Sequence, residues 1–302
     1  PSYKIKLMEL FRILKYIYSH PFNSENKLNG VWIFIKWQIN CLLNPYPIIY
    51  QFTEKAKLIV RKGLTGATGN LYCGLMEYNE MGFLLHFLRP ADTFVDIGAN
   101  VGSYTILASS QVKANSISIE PIQDTYKTLM DNILINKVEQ NVKAFNIGLG
   151  SEISKIHFTK SLDTINHVAT KEEIDTIEVQ IDTLDNLLMN EQCPSLIKID
   201  VEGYENEVIN GAEKTLENQS LKAIIIELNG SGSRYGYDDE NIHLKLLQYG
   251  FKPYCYNPKG KELKALKTFG NHNTLYLRDV NFIEERIKSS KRIKVGVKEY
   301  LV

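Results

Sequence analysis

The chain has 302 residues, 44% hydrophobic and 23% charged, enough for one large α/β unit with an appendage. Thirty-five Lys and Arg balance thirty-five Asp and Glu, so no global field draws the protein to nucleic acid or long polyanions. Cys41, Cys73, Cys193 and Cys255 form no Cys-x-x-Cys pair, which argues against a zinc site or a disulfide framework and for reduced thiols in the cytoplasm.

The opening Pro1-Ser2-Tyr3-Lys4 shows no signal-peptide pattern and no initiator Met. Apolar and basic positions at helical spacing predict helices over 4–19 and 29–43, separated at Pro21 and Asn23-Ser24. The second is too short to span a bilayer and carries Lys36, which leaves peripheral contact with a membrane or a partner open. Residues 1–62 thus read as a helical appendage. The glycine-rich run 63–74 reads as turns and a short hairpin, and a helix over 77–88 should stop before Pro90.

From Thr93 the pattern alternates strand and helix, which predicts a mainly parallel sheet with helices on both faces. Strands are expected at 93–97, 116–120, 142–146, 196–200 and 222–228, with helices over 102–110, 123–136 and 205–217. Ile153–Thr159 and Thr176–Ile181 suggest an inserted β ribbon around a loop at 160–175. A helix near 239–249 precedes a late strand pair, Phe251–Tyr256 and Asn273–Leu277, which closes a domain running from 63 to 282. The remaining tail, 283–302, is basic and reads as helical, then extended.

Four strand ends carry the chemistry. The first is Asp96-Ile-Gly98-Ala-Asn100-Val-Gly102-Ser103, where glycines let the backbone turn and approach a ligand, and the helix start presents unpaired N–H groups. Its Asp-x-Gly-x-x-x-Gly spacing differs from the Gly-x-Gly-x-x-Gly of dinucleotide sites and favours S-adenosylmethionine, whose ammonium Asp96 would accept. The second is Glu120-Pro121, an acid placed to take both ribose hydroxyls of an adenosine. The third, Asn146-Ile147-Gly148, would lie beside the adenine. The fourth, Lys198-Ile-Asp200-Val-Glu202-Gly203, delivers two acids to the strand end nearest the reacting methyl, with Lys198 as an available charged partner.

Five parallel strands and a late pair suit a class I methyltransferase, a Rossmann-like seven-stranded sheet whose last strand is antiparallel. The chain resembles the FkbM-type methyltransferases over residues 63–280. The resemblance rests on Tyr72–Glu77, Phe94–Thr105, Glu120-Pro121, Leu162–Val168, Lys198–Gly203, Ile226–Gly232 and Arg234–Gly236. It implies S-adenosylmethionine-dependent O-methylation of a sugar-like, glycolipid-type or polyketide acceptor, and adds Glu77 to the residues expected around the cofactor.

An acceptor hydroxyl is a poor nucleophile at neutral pH and needs a base. Asp200, Glu202, Glu227 and His167 are the candidates. His167 has the side chain that titrates nearest neutrality and sits on a loop able to close over the site. Glu202 and Glu227 could pair around a divalent ion, but no usual three-ligand set is visible, and the expectation is a metal-free site. Two further readings are a non-catalytic protein of this fold that docks a partner, and a nicotinamide-dependent oxidoreductase.

Overall fold

The computed structural model describes residues 3–160, 166–170, 172–296 and 300–301. Two helices, α1 (Tyr3–Ser19) and α2 (Lys27–Leu43), lead into a hairpin of β1 (Ile48–Gln51) and β2 (Lys57–Val60), then α3 (Thr65–Cys73) and α4 (Tyr78–Phe87). The alternating part runs β3 (Thr93–Ile97), α5 (Ser103–Ile106), β4 (Asn115–Ile119), α6 (Gln123–Asn136) and β5 (Val142–Phe145). A separate small sheet holds β6 (Gly148–Leu149), β7 (Ser154–Thr159) and β8 (Thr176–Asp182), followed by α7 (Leu184–Leu187). The chain returns through β9 (Leu196–Ile199), α8 (Glu205–Asn210), α9 (Glu213–Glu217), β10 (Ala223–Glu227) and α10 (Asp239–Gln248). It continues through β11 (Lys252–Asn257), β12 (Glu262–Ala265), β13 (Asn273–Leu277) and α11 (Val280–Ser289) to a small antiparallel pair, β14 (Lys294–Val295) and β15 (Tyr300–Leu301).

Among the described residues the main sheet has eight strands, ordered β12-β11-β13-β10-β9-β3-β4-β5. The five from β5 to β10 are parallel and β13 is antiparallel to β10. The expected seven-stranded sheet is therefore corrected by one: β12 adds an antiparallel edge strand beside β11. Its Glu262-Leu-Lys-Ala265 sequence is almost wholly exposed, so it carries no buried alternation from which a strand could be read.

Side chains alternate between two cores, as the pleat requires. Val95, Ile97, Ile197, Ile199, Ile224 and Ile226 enter the core on one face. Phe94, Leu196, Ala223, Ile225, Leu275 and Leu277 enter the other, which also takes in Phe52 and Leu58 from the start of the chain and Ile283, Ile287 and Val295 from its end.

Three local expectations change. The stretch 1–62, expected as a helical appendage, includes the β1–β2 hairpin, whose Leu58 enters the core because alternate residues of β2 are buried. Residues 65–73 form a helix, not a hairpin. Glycine disfavours helix, but burial of Leu64 and Ala67 against Trp37 and Val101 outweighs propensity, and Gly69 is glycine because a Cβ would overlap Met76. The single helix expected at 205–217 is two, broken at Gly211, where a Cβ would overlap the Gly150 carbonyl. In the resembling motif at 162–168, residues 162–165 lie outside the described residues.

Candidate active site

All four strand-end motifs lie at the carboxyl ends of adjacent parallel strands, where the order reverses between β3 and β9. That is the crevice in which open α/β sheets bind ligands. The loop after β3 turns through left-handed backbone at Gly98 (φ 77°), Asn100 (φ 51°) and Gly102 (φ 86°). Gly98 and Ala99 donate their N–H groups to the Ile119 carbonyl, which ties the loop to β4. Asn132 supports it by donating to the Val101 carbonyl, and Ser103 Oγ donates to Gly66 of α3 while accepting from Asn70.

Asp96 lies within β3, one residue before its end, and is 1% exposed. Its Oδ2 accepts from the Thr105 amide (3.0 Å) and the Thr105 hydroxyl (2.6 Å), so this oxygen caps the first turn of α5. The expectation that Asp96 meets a cofactor ammonium thus has a competitor within the fold: a helix start has amides without acceptors. Burial pushes its pKa up, and Lys198 and Thr105 oppose that.

Glu120 bridges two segments, accepting from Asn100 N through Oε2 and from Ile122 N through Oε1, both at 2.9 Å. Burial lifts its pKa to about 7 against these two amides. Pro121 follows at the crevice rim, and Asn146 donates to the carbonyls of Glu120 and Pro121. Ile147 and Gly148 continue that wall, half-buried and buried.

Across the crevice, buried Lys198 stands in register with Asp96 on β3 and lies 4.9 Å from the centre of the Tyr104 ring. Its Nζ donates to Asp200 Oδ2 at 2.7 Å. Burial alone would lower the lysine pKa, but Asp200, Glu77 and Asp96 hold it up, so it is charged. Glu202 adopts a left-handed backbone (φ 55°), rare for a residue with a side chain and found where the surroundings enforce it. Arg234 donates to its carbonyl, and Glu205 accepts from Val201 N and Gly203 N, fixing the turn.

Asp200, Glu202 and Glu227 come together: one carboxylate oxygen from each lies within 4.8 Å of the others. Desolvation, then Asp200, raises Glu202 to about 7; desolvation, then Asp200 and Glu202, raises Glu227 to about 8. A set of three carboxylates is therefore present at the place where no three-ligand set was legible. Glu77 joins the same wall through Asn273, which faces Glu227 across β10 and β13 and donates to Glu77 at 2.5 Å. Asn273 and Tyr104 were missed in the sequence, since only strand register and tertiary packing bring them there.

His167 is placed differently from the expectation of a mobile loop base. It is 6% exposed, its backbone pairs with Thr159 of β7, and its Nε2 lies 3.1 Å from Glu173. It is not part of the carboxylate group among the described residues. The segment still reaches the site's rim, because Tyr235, next to Arg234, donates to the Val168 carbonyl.

The donor set fits a cationic cofactor. A sulfonium and an ammonium are favoured by a crevice holding Asp96, Glu120, Asp200, Glu202 and Glu227, whereas a pyrophosphate would be repelled. With this strand order, the acid-lined crevice defines a class I methyltransferase, dependent on S-adenosylmethionine. Residues 96–253, just over half of the chain, match the model of the methyltransferase FkbM domain. The protein belongs to the FkbM methyltransferase family, which removes the nicotinamide reading.

The chain is 28% identical over 173 residues to hexuronic acid methyltransferase AglP of Haloferax volcanii, covering 57% of this chain and 67% of that protein. It is 30% identical over 151 residues to Methyltransferase 1 of Beauveria bassiana, covering 41% of this chain and 60% of that one. The crystal structure of methyltransferase FkbM from Methylobacillus flagellatus aligns with a TM-score of 0.45 at 16% identity, covering 70% of this chain and 52% of that chain.

Proposed function

We propose that this methyltransferase transfers the methyl group to a hydroxyl of a carbohydrate or glycoconjugate acceptor, with Glu227 as the base. The observation that carries the reading is the grouping of Asp200, Glu202 and Glu227 at the ends of β9 and β10, with Glu227 lifted to about 8. A carboxylate tuned toward neutrality is a far better proton acceptor than one at its ordinary value. The likeness to a hexuronic acid methyltransferase supports the acceptor class.

In this reading the cofactor is held by the 98–103 loop, by Glu120 toward the ribose and by Asn146, Ile147 and Gly148 toward the adenine. Glu77, Asp96 and Asp200 form the wall for its methionine end. When bound, S-adenosylmethionine supplies an electrophilic methyl on a sulfonium. The chain aligns the acceptor oxygen for in-line displacement, and Glu227 takes the hydroxyl proton as the C–O bond forms and the C–S pair returns to sulfur. Lys198 holds Asp200 in place through a hydrogen bond of 2.7 Å. The acceptor enters opposite the cofactor loop, between the carboxylates and the 166–170 segment, in a cytoplasmic enzyme whose catalytic core reaches beyond the expected 63–282, to Phe52 and Leu58 before it and Ile287 and Val295 after it.

Release of S-adenosylhomocysteine across a panel of uronic acids, neutral sugars, glycolipids and non-sugar alcohols tests this. Turnover confined to sugar hydroxyls is expected. Turnover only on amines or on non-sugar substrates would overturn the acceptor class, and no turnover with tight cofactor binding would favour a non-catalytic docking protein.

A further inference from the structure

The helix α2 has two apolar faces, and the cofactor-binding body uses one of them. Gly30, Phe34 and Trp37 are buried: Phe34 packs with Ile17 and Cys73, and Trp37 packs with Leu64, Ala67 and Val101 of the cofactor loop. On the opposite side Leu28, Trp32, Ile35, Ile39, Leu42 and Leu43 are exposed, Leu28 by 74% and Leu42 by 81%. At 3.6 residues per turn these six fall within roughly 100° of arc. Such a stripe is the width that helices normally bury.

Charge identifies what covers it. Residues 1–62 carry ten Lys and Arg against three Asp and Glu, a net +7, so in this balanced chain the rest carries −7. Beside the stripe Lys27 and Lys36 are exposed, with Lys36 Nζ 5.2 Å from the centre of the Trp32 ring. On α1, Arg12 and Lys15 are exposed beside Met8 and Phe11. Apolar side chains with a tryptophan, flanked by basic residues on long stems, suit the headgroup boundary of an anionic bilayer. A two-fold pairing of two copies through the stripe would instead set basic flank against basic flank. No helix among the described residues is long and apolar enough to cross a membrane, so the contact is one of lying on the surface.

We propose that α2, supported by α1, docks this enzyme on an anionic lipid surface through Leu28, Trp32, Ile35, Ile39, Leu42 and Leu43, with Lys27 and Lys36 engaging headgroups. The surface lies on the element packed against the cofactor loop. It stands independently of which acceptor hydroxyl is methylated.

The test is co-sedimentation of the whole chain with vesicles of phosphatidylglycerol and phosphatidylcholine in equal parts, against phosphatidylcholine alone. Binding to the mixed vesicles, weakened by salt, is expected. The pair Trp32→Gln with Ile39→Gln should reduce it about tenfold or more, and the pair Lys27→Gln with Lys36→Gln by roughly tenfold. Both pairs should keep wild-type S-adenosylmethionine affinity and melting temperature, because these side chains are exposed. Absence of vesicle binding, equal binding to phosphatidylcholine alone, or an unchanged Trp32 and Ile39 variant would each overturn the proposal. Conversion of a native dimer to a monomer by that variant, without lipid binding, would reassign the stripe to a second copy of the chain.

Discussion

Gly98 presses its α-carbon against the main-chain carbonyl of Asp200, so closely that a Cβ would overlap that oxygen. The loop after β3 and the strand end that carries Asp200 and Glu202 are therefore locked to one another by backbone contact. Gly98 also has φ 77°, where a side chain is strained.

Gly98→Ala is expected to lose S-adenosylmethionine binding and to lower the melting temperature. Left-handed strain alone contributes about 1–3 kcal/mol, and the overlap with Asp200 adds to it. Calorimetric titration and thermal melts check both effects. A variant that binds cofactor and melts like the wild type would show that the two walls are not coupled here.

Glu120→Gln keeps the shape of the side chain but removes its charge, and it puts a donor in place of one of the oxygens that accept from Asn100 N and Ile122 N. Hydrogen bonds to a charged acceptor contribute about 1.5–3 kcal/mol, so affinity for S-adenosylmethionine should fall by roughly ten- to hundredfold. Titration with S-adenosylhomocysteine gives the same answer without turnover. Unaltered affinity would remove Glu120 from the cofactor wall.

The parallel strands were legible because β3, β9 and β10 are buried on both faces and read as short apolar runs ending in acids. Elements set by distant packing were not. The glycines at 66 and 69 hid α3, whose helix depends on Trp37, Val101 and Met76 being present around it. The exposed edge strand β12 has no hydrophobic period to detect. In the site, Asp200, Glu202 and Glu227 could each be placed at a strand end, but their mutual approach depends on the pairing of β9 with β10, and the Glu77–Asn273 contact spans the whole domain. His167 has the same letters around it whether it waits over a crevice or pairs with Glu173; only the bridge between Phe158 and Val168 decides.

Glu227→Gln should keep cofactor affinity and lose turnover by about a hundredfold or more, the usual contribution of a positioned base. In the wild type, Glu227 near 8 is largely protonated at neutral pH. Because bound S-adenosylmethionine favours the ionised acid, the rate at saturating cofactor should climb by about tenfold per pH unit and level off at a pH below that value. Steady-state profiles from pH 6 to 9, at a cofactor concentration that saturates the enzyme, give the measurement. A flat profile, or a wild-type rate in the variant, assigns the proton to another group.

Turnover should survive chelation. The three carboxylates could surround a cation, but Asp200 Oδ2 already accepts from the Lys198 ammonium, which competes with an ion for that carboxylate. Dialysis against EDTA should leave the rate unchanged. Loss of activity restored by Mg²⁺ or Mn²⁺ would make Asp200, Glu202 and Glu227 ligands in place of acid–base groups.

The same carboxylates set the pH dependence of stability in the cofactor-free protein. Glu227 is raised from an ordinary 4.5 to about 8 on folding, so the folded state binds its proton more tightly than the unfolded chain does. A raised group contributes stability that is fully present below its unfolded value and is lost as pH rises through the folded one. The loss therefore falls between about 4.5 and 8. Glu202, raised to about 7, acts in the same direction. Glu227→Gln holds the neutral form at every pH. It should match the wild-type melting temperature near pH 5 and exceed it by about 2 °C or more at pH 8.5, since one kcal/mol corresponds to roughly that shift in a chain of this size. Bound S-adenosylmethionine, a cation beside the carboxylates, should shrink the difference, because its charge favours the ionised wild-type acid. Thermal melts of both proteins at the two pH values, with and without cofactor, decide the point. A variant less stable than the wild type at pH 8.5 would mean that Glu227 is ionised and paired in the fold, and not a base held in reserve.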